Sequence, residues 1–111
     1  MTVQICYKGR VAVLSPCRPI TTDHMEELHK GLTQSLDQGA TALIIDLTEV
    51  THFDSSGLRT ILDWAVNLSR ERRSLRLVNP NSVCSDVLCA TRMESVVDVF
   101  ATVEDAIRAG R

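Results

Sequence analysis

The sequence is poor in aromatic side chains: only Tyr7, Phe53, Trp64 and Phe100 among 111 residues. Bases and sugars are often held by stacking on such rings, so few platforms exist for them. The chain also lacks an excess of positive charge, with 12 Lys and Arg against 14 Asp and Glu and a net charge of -2. Nucleic acid and anionic membranes attract basic surfaces, so neither is expected as the main partner. No apolar run approaches the roughly 20 residues of a membrane span. Met1 to Tyr7 has no charged-then-apolar leader pattern, so a cytoplasmic protein without membrane insertion is expected. Cys6, Cys17, Cys84 and Cys89 form no C-x-x-C pair, and no histidine is closely spaced to two of them. No metal and no cofactor is therefore expected. The cysteines are read as mostly buried or neutral small apolar residues. There is also no repeat, linker or low-complexity segment. The length fits one domain over residues 1–111, and the 44% hydrophobic and 23% charged content is ordinary for a globular core.

What is present is an alternation of two periodicities. Val3 to Tyr7 and Val11 to Leu14 read as two strands around a turn at Lys8-Gly9-Arg10. Pro16 and Pro19 interrupt regular structure, and Thr22 or Asp23 can cap a helix whose stripe is Met25, Leu28, Leu32 and Leu36. Thr41 to Leu47 is a nearly continuous apolar run, as in a strand covered on both faces. A second helix carries Leu58, Ile61, Leu62, Ala65 and Leu68 and ends near the basic cluster Arg70, Arg72 and Arg73, read as solvated. Ser74 to Val78 is a further strand. Val83, Val87 and Leu88 mark a short helix, and Val96 to Phe100 a last strand. Thr102 caps a closing helix with Glu104 and Asp105 in its first turn. The order β-β-α-β-α-β-α-β-α predicts an α/β fold with a mixed, mainly parallel sheet and helices packed against it.

The chemistry-bearing stretch runs from Ile44 to Leu58, where a buried strand feeds a loop and the loop opens a helix with Asp54-Ser55-Ser56-Gly57. The first amides of a helix lack partners within it and the dipole is positive there, which favours a phosphate. A serine at such an edge is also within reach of a kinase, whose product would add about -1.5 to -2 of charge beside Asp54. The plain alternative is an ordinary helix start, with Asp54 or Ser55 as N-cap and Gly57 permitting close packing. A serine hydrolase with Ser55 or Ser56 as nucleophile and His24, His29 or His52 as base is disfavoured, because there is no G-x-S-x-G elbow. His24 and His29, five residues apart, are read as exposed polar residues.

The I-I-D-L strand at 44–47, the F-D-S-S-G-L turn at 53–58, S-L-R-L-V-N-P at 74–80 and the ending F-A-T-V-E-D-A-I at 100–107 together resemble a STAS domain of the bacterial anti-sigma factor antagonist type. The likeness covers about Val3 to Ala109. It implies the STAS fold and a non-enzymatic role. An antagonist of this family binds an anti-sigma factor that is also a serine kinase, frees the sigma factor, and is switched off by phosphorylation that a phosphatase reverses. By motif match the phosphorylated residue would be Ser55, with Asp54, Ser56, Gly57, Leu58 and Arg59 forming the partner-binding turn. Two departures stand out. The family's Gly-x-Leu-Asp or Gly-x-Ile-Asp element after the second strand is replaced by Ser15 to Ile20, a segment the family fold puts near the turn. Arg59, four residues after Ser55, replaces a residue that is often small and is placed to pair with a phosphate on Ser55. The same resemblance leaves a second reading, a STAS scaffold or partner subunit in a stressosome-like or lipid-transport complex without regulated sigma release. The sequence leaves the oligomeric state open.

Overall fold

Gly9, held at φ +63° where a side chain is disfavoured, reverses the chain between β1 (Val3–Lys8) and β2 (Val11–Pro16). These two strands pair antiparallel, from Val3 opposite Pro16 to Lys8 opposite Val11. The computed structural model describes residues 3–109. Beyond β2, the strands β3 (Ala42–Asp46), β4 (Ser74–Val78) and β5 (Asp98–Phe100) each add in parallel, giving one five-stranded sheet in chain order. The crossovers carry α1 (Met25–Asp37), α2 (Ser55–Arg70) and α3 (Ser82–Ala90), and α4 (Val103–Arg108) follows β5. The mixed, mainly parallel α/β architecture expected from the alternation is the one found.

The sheet is covered unequally. Ala12, Leu14, Leu43, Ile45, Leu75 and Leu77 point to a large core completed by Leu28 and Leu32 of α1, Ile61, Ala65 and Leu68 of α2, and Cys84 and Leu88 of α3. Val13, Ile44 and Val78 point the other way, where Ala106 of α4 meets them. This double cover explains the unbroken apolar run of β3, whose Leu43, Ile44 and Ile45 are wholly buried. Arg76 is buried on the α4 side. Its Nη1 donates to the carbonyl of Ala106 at 3.0 Å, in the last turn of α4, where a cation offsets the helix dipole. On α1, Gly31 and Ser35 are buried beside Leu28 and Leu32; a Cβ at Gly31 would sit 3.0 Å from Leu14, so small residues let α1 settle onto the sheet. Trp64 of α2 ties to α1 by donating its indole N–H to Nδ1 of His29 at 3.0 Å. His29 is thus exposed, as expected, yet partnered, whereas His24 is half-buried.

Several boundaries differ from expectation. The second strand runs on to Pro16, since proline's fixed φ suits extended backbone. Thr22 to His24 forms a 3₁₀ turn and α1 begins only at Met25, with neither Thr22 nor Asp23 capping it. The last strand is shorter than Val96 to Phe100, because Met93–Ser95 forms a 3₁₀ turn after Arg92 in the left-handed region, leaving Val96 exposed. In α3 the inward residues are Cys84 and Leu88, and Val83 is 53% exposed. Of the cysteines only Cys84 is buried; Cys6, Cys17 and Cys89 are exposed, because they lie on an edge strand, a loop and a helix's outer face. Thr102 does cap α4, accepting from the Asp105 amide at 3.1 Å. Arg72 and Arg73 close α2, Arg72 at φ 61°, with Arg73 donating its amide to Leu68 at 2.8 Å and its Nη1 lying 3.9 Å from Glu71.

Candidate functional site

Because β2 and β3 run parallel and adjacent, they deliver their exits to the same end of the sheet. The segment after β2 therefore lies beside the loop that leads from β3 to α2. Ile20 donates its amide to the His52 carbonyl at 3.1 Å and accepts the Asp54 amide at 3.2 Å, a short parallel bridge between Ile20 and Phe53. Ile20, Val50 and Phe53 are buried under this bridge, which anchors the turn to the core. From the other side, Asn81 donates through Nδ2 to the carbonyls of Val50 at 3.3 Å and Thr51 at 3.1 Å. Asn79 bonds Thr48, which itself binds Asp46.

Asp54 is the N-cap of α2, in extended conformation. One carboxylate oxygen, Oδ1, accepts the Gly57 amide at 2.7 Å. The other, Oδ2, accepts the Thr22 amide at 3.0 Å and the Thr22 hydroxyl at 3.3 Å. The Gly57 amide first, and then the Thr22 amide, hold the Asp54 carboxyl below its ordinary value of 3.8, so it is ionised at neutral pH. Gly57 is where the helix touches the loop: a Cβ there would lie 2.0 Å from the Ile20 carbonyl oxygen. Both readings of Asp54 and Gly57 as helix-start residues are therefore accounted for by geometry.

Ser55 is the first residue of α2, and Ser55 and Ser56 are exposed. Leu58 is half-buried against the core. Arg59 faces solvent with its Nε 3.4 Å from Oδ1 of Asp63, one turn further along rather than towards Ser55. His52 is exposed and its Nδ1 lies 3.1 Å from the Thr51 hydroxyl. Among the described residues no hydrogen bond joins a histidine to Ser55 or Ser56, and no cluster of three or more His, Cys, Asp or Glu could hold a metal ion. No described helix is long and apolar enough to cross a membrane. Two further residues shape the site, Thr22 and Asn81. Thr22, expected from the sequence only as a cap for α1, instead bonds the Asp54 carboxylate. Asn81 carries the signal of an N-cap, an asparagine just before a short helix.

A mostly parallel sheet whose strand ends gather two loops around a capped, serine-bearing helix start is an α/β arrangement with its candidate site at one end of the sheet. A family model of the STAS domain matches residues 3–106, and the chain belongs to that family. It is 24% identical over 98 residues, 87% of each chain, to a Thermotoga maritima protein that carries the name of an anti-sigma factor antagonist. A Thermotoga maritima crystal structure under the same name superposes with a TM-score of 0.88 at 21% identity, covering 96% of this chain and 92% of that one. The unphosphorylated anti-sigma factor antagonist SpoIIAA gives 0.80 at 22% identity, with 98% and 96% covered. The phosphorylated form of the Bacillus protein gives 0.74 at 22%, with 98% and 99% covered.

Proposed function

We propose that the chain is an anti-sigma factor antagonist that binds an anti-sigma factor serine kinase, releases the sigma factor, and is switched off when Ser55 is phosphorylated. The observation that carries this reading is the place of Ser55: an exposed hydroxyl on the first residue of α2, directly after an ionised cap. Support comes also from the names of the relatives and from SpoIIAA having been solved with and without its phosphate. The protein acts in the cytoplasm as a single STAS domain and a binding partner, not an enzyme, and a phosphatase restores it. Ser56 and Arg59 offer polar contacts beside Ser55, while Asp54, Gly57 and Leu58 hold the helix start in the shape the partner meets. An unpaired phosphate forced into that desolvated contact costs several kcal/mol, roughly enough to abolish binding. Arg59 exchanges Asp63 for the phosphate and softens the effect, so Arg59→Ala deepens the loss of partner affinity on phosphorylation.

The test is a phosphorylation assay. Wild type, Ser55→Ala and Ser56→Ala are incubated with candidate anti-sigma kinases of the same organism and ATP, and the modified residue is mapped by mass spectrometry. Label on wild type and Ser56→Ala, absent from Ser55→Ala, is expected. Label that persists on Ser55→Ala overturns the assignment, and no label on any variant favours a scaffold role.

A further inference from the structure

The Asp54 carboxylate holds its own helix start and also Thr22, 32 residues earlier in sequence. Oδ1 holds the Gly57 amide and so the start of α2; Oδ2 holds the amide and hydroxyl of Thr22 and so the start of the turn that leads into α1. The other links between the two loops, Ile20 to His52 and Asp54 to Ile20, are backbone bonds that do not use the carboxylate. We propose that Thr22 is a positioning residue that passes the state of Ser55 to the β2–α1 loop: a phosphate on Ser55 drives the Asp54 carboxylate off Thr22 and frees residues 22–24. The idea rests on Ser55 being the phosphoacceptor.

The physical reasons are two. A phosphate of about -1.5 to -2 attached to the neighbouring residue repels the ionised carboxylate. It also competes for the same positive helix end, where the amides of Ser55 and Ser56 have no acceptor within the helix. Asp54 is the group able to yield, because Thr22 lies at the surface and the Ile20 bridge holds the backbone in place without it. Phosphorylation then alters the docking face twice, by adding charge at Ser55 and by loosening the adjoining 22–24 turn. The loosening is local, since Ile20 and Leu28 on either side are buried.

The test needs no kinase. Phosphoserine is installed at position 55 of the full chain during translation, and amide hydrogen exchange is followed by NMR. Loss of a hydrogen bond of ordinary strength raises exchange of the Thr22 amide by about fivefold or more. The amides of Leu43 and Ile44 in β3 stay unchanged, which separates the effect from global loosening. In Asp54→Asn, where no carboxylate remains to be repelled, the installed phosphate adds less than about twofold at Thr22. Thr22 exchange that is the same with and without phosphate overturns the coupling, as does an increase that survives undiminished in Asp54→Asn. A kinase assay that leaves Ser55 unmodified overturns the phosphoacceptor reading instead, and the two failures are read from different experiments.

Discussion

Gly57 sets how near α2 can come to the loop after β2. An added methyl would meet the Ile20 carbonyl oxygen at 2.0 Å and, at 2.9 Å, its carbon and the Ile20 Cγ2; the nearest of these is backbone held in a bridge, which cannot turn aside as a flexible side chain would. Gly57→Ala should therefore cost about 2–3 kcal/mol, seen as a lower urea midpoint at unchanged slope, whereas Ser56→Ala at the exposed neighbour should stay within about 0.5 kcal/mol. Asp54 adds a pH dependence whose sign follows from its lowered pKa. Its folded value lies below 3.8, so between the two values the unfolded chain binds more protons. The stability it contributes is complete above 3.8 and is lost as pH falls through the folded value. Urea midpoints of wild type and Asp54→Asn should differ at pH 7 and converge as pH falls below that range. A gap that stays constant down to acid pH would mean that the charge of the cap is immaterial.

The elements differ in how much of them the sequence states. Strand β3 and helix α2 were legible because burial on both faces, or on one stripe, writes a long and regular apolar pattern; Ile61, Ala65 and Leu68 are buried as their spacing predicts. Helix α3 was legible in existence but not in phase. Six of its nine residues, Val83, Cys84, Val87, Leu88, Cys89 and Ala90, are apolar and spread around the helix, so no single stripe stands out and Val83 competes with Cys84 for the inside. The cap decided it: Asn81 accepts the Cys84 amide at 2.8 Å while gripping Val50 and Thr51, and that double hold points Cys84 and Leu88 into the core. The phase is measurable. Leu88→Ala should cost about 2–4 kcal/mol as a buried truncation. Val83→Ala should lie within about 0.5 kcal/mol. Equal losses at the two positions would contradict the inward face described for α3. The β5 boundary was missed for a similar reason, since Val97 is buried from a turn and only looks like part of a strand.

At the scale of the whole molecule, what the chain order conveys is an alternating α/β fold, and what it hides is which loops meet. Thr22 and Asp54 are joined only because β2 and β3 are parallel neighbours, and no local pattern around Thr22 announces it. The cysteines make the same point, since a small apolar residue type predicts burial while position in the fold determines it. Cys84 lies at zero exposure between α3 and the loop at Val50, its Sγ 3.8 Å from that carbonyl, and burial pushes its thiol above the ordinary value. Cys6, Cys17 and Cys89 lie at the surface. The thiolate is the form that attacks a thiol reagent, and it must be accessible to it; burial denies Cys84 both the charge and the access. Under native conditions at pH 8 a disulfide reagent should modify three thiols quickly. The fourth should follow only as fast as the core opens, because Cys84 packs in the cluster that holds α1, α2 and α3 against the sheet. Mild urea should then accelerate the slow thiol alone, in step with the loss of stability, and Leu88→Ala should do so without denaturant. Four thiols reacting at one rate, or a slow thiol that mass spectrometry maps to Cys6 or Cys89, would mean that α3 does not close this side of the core.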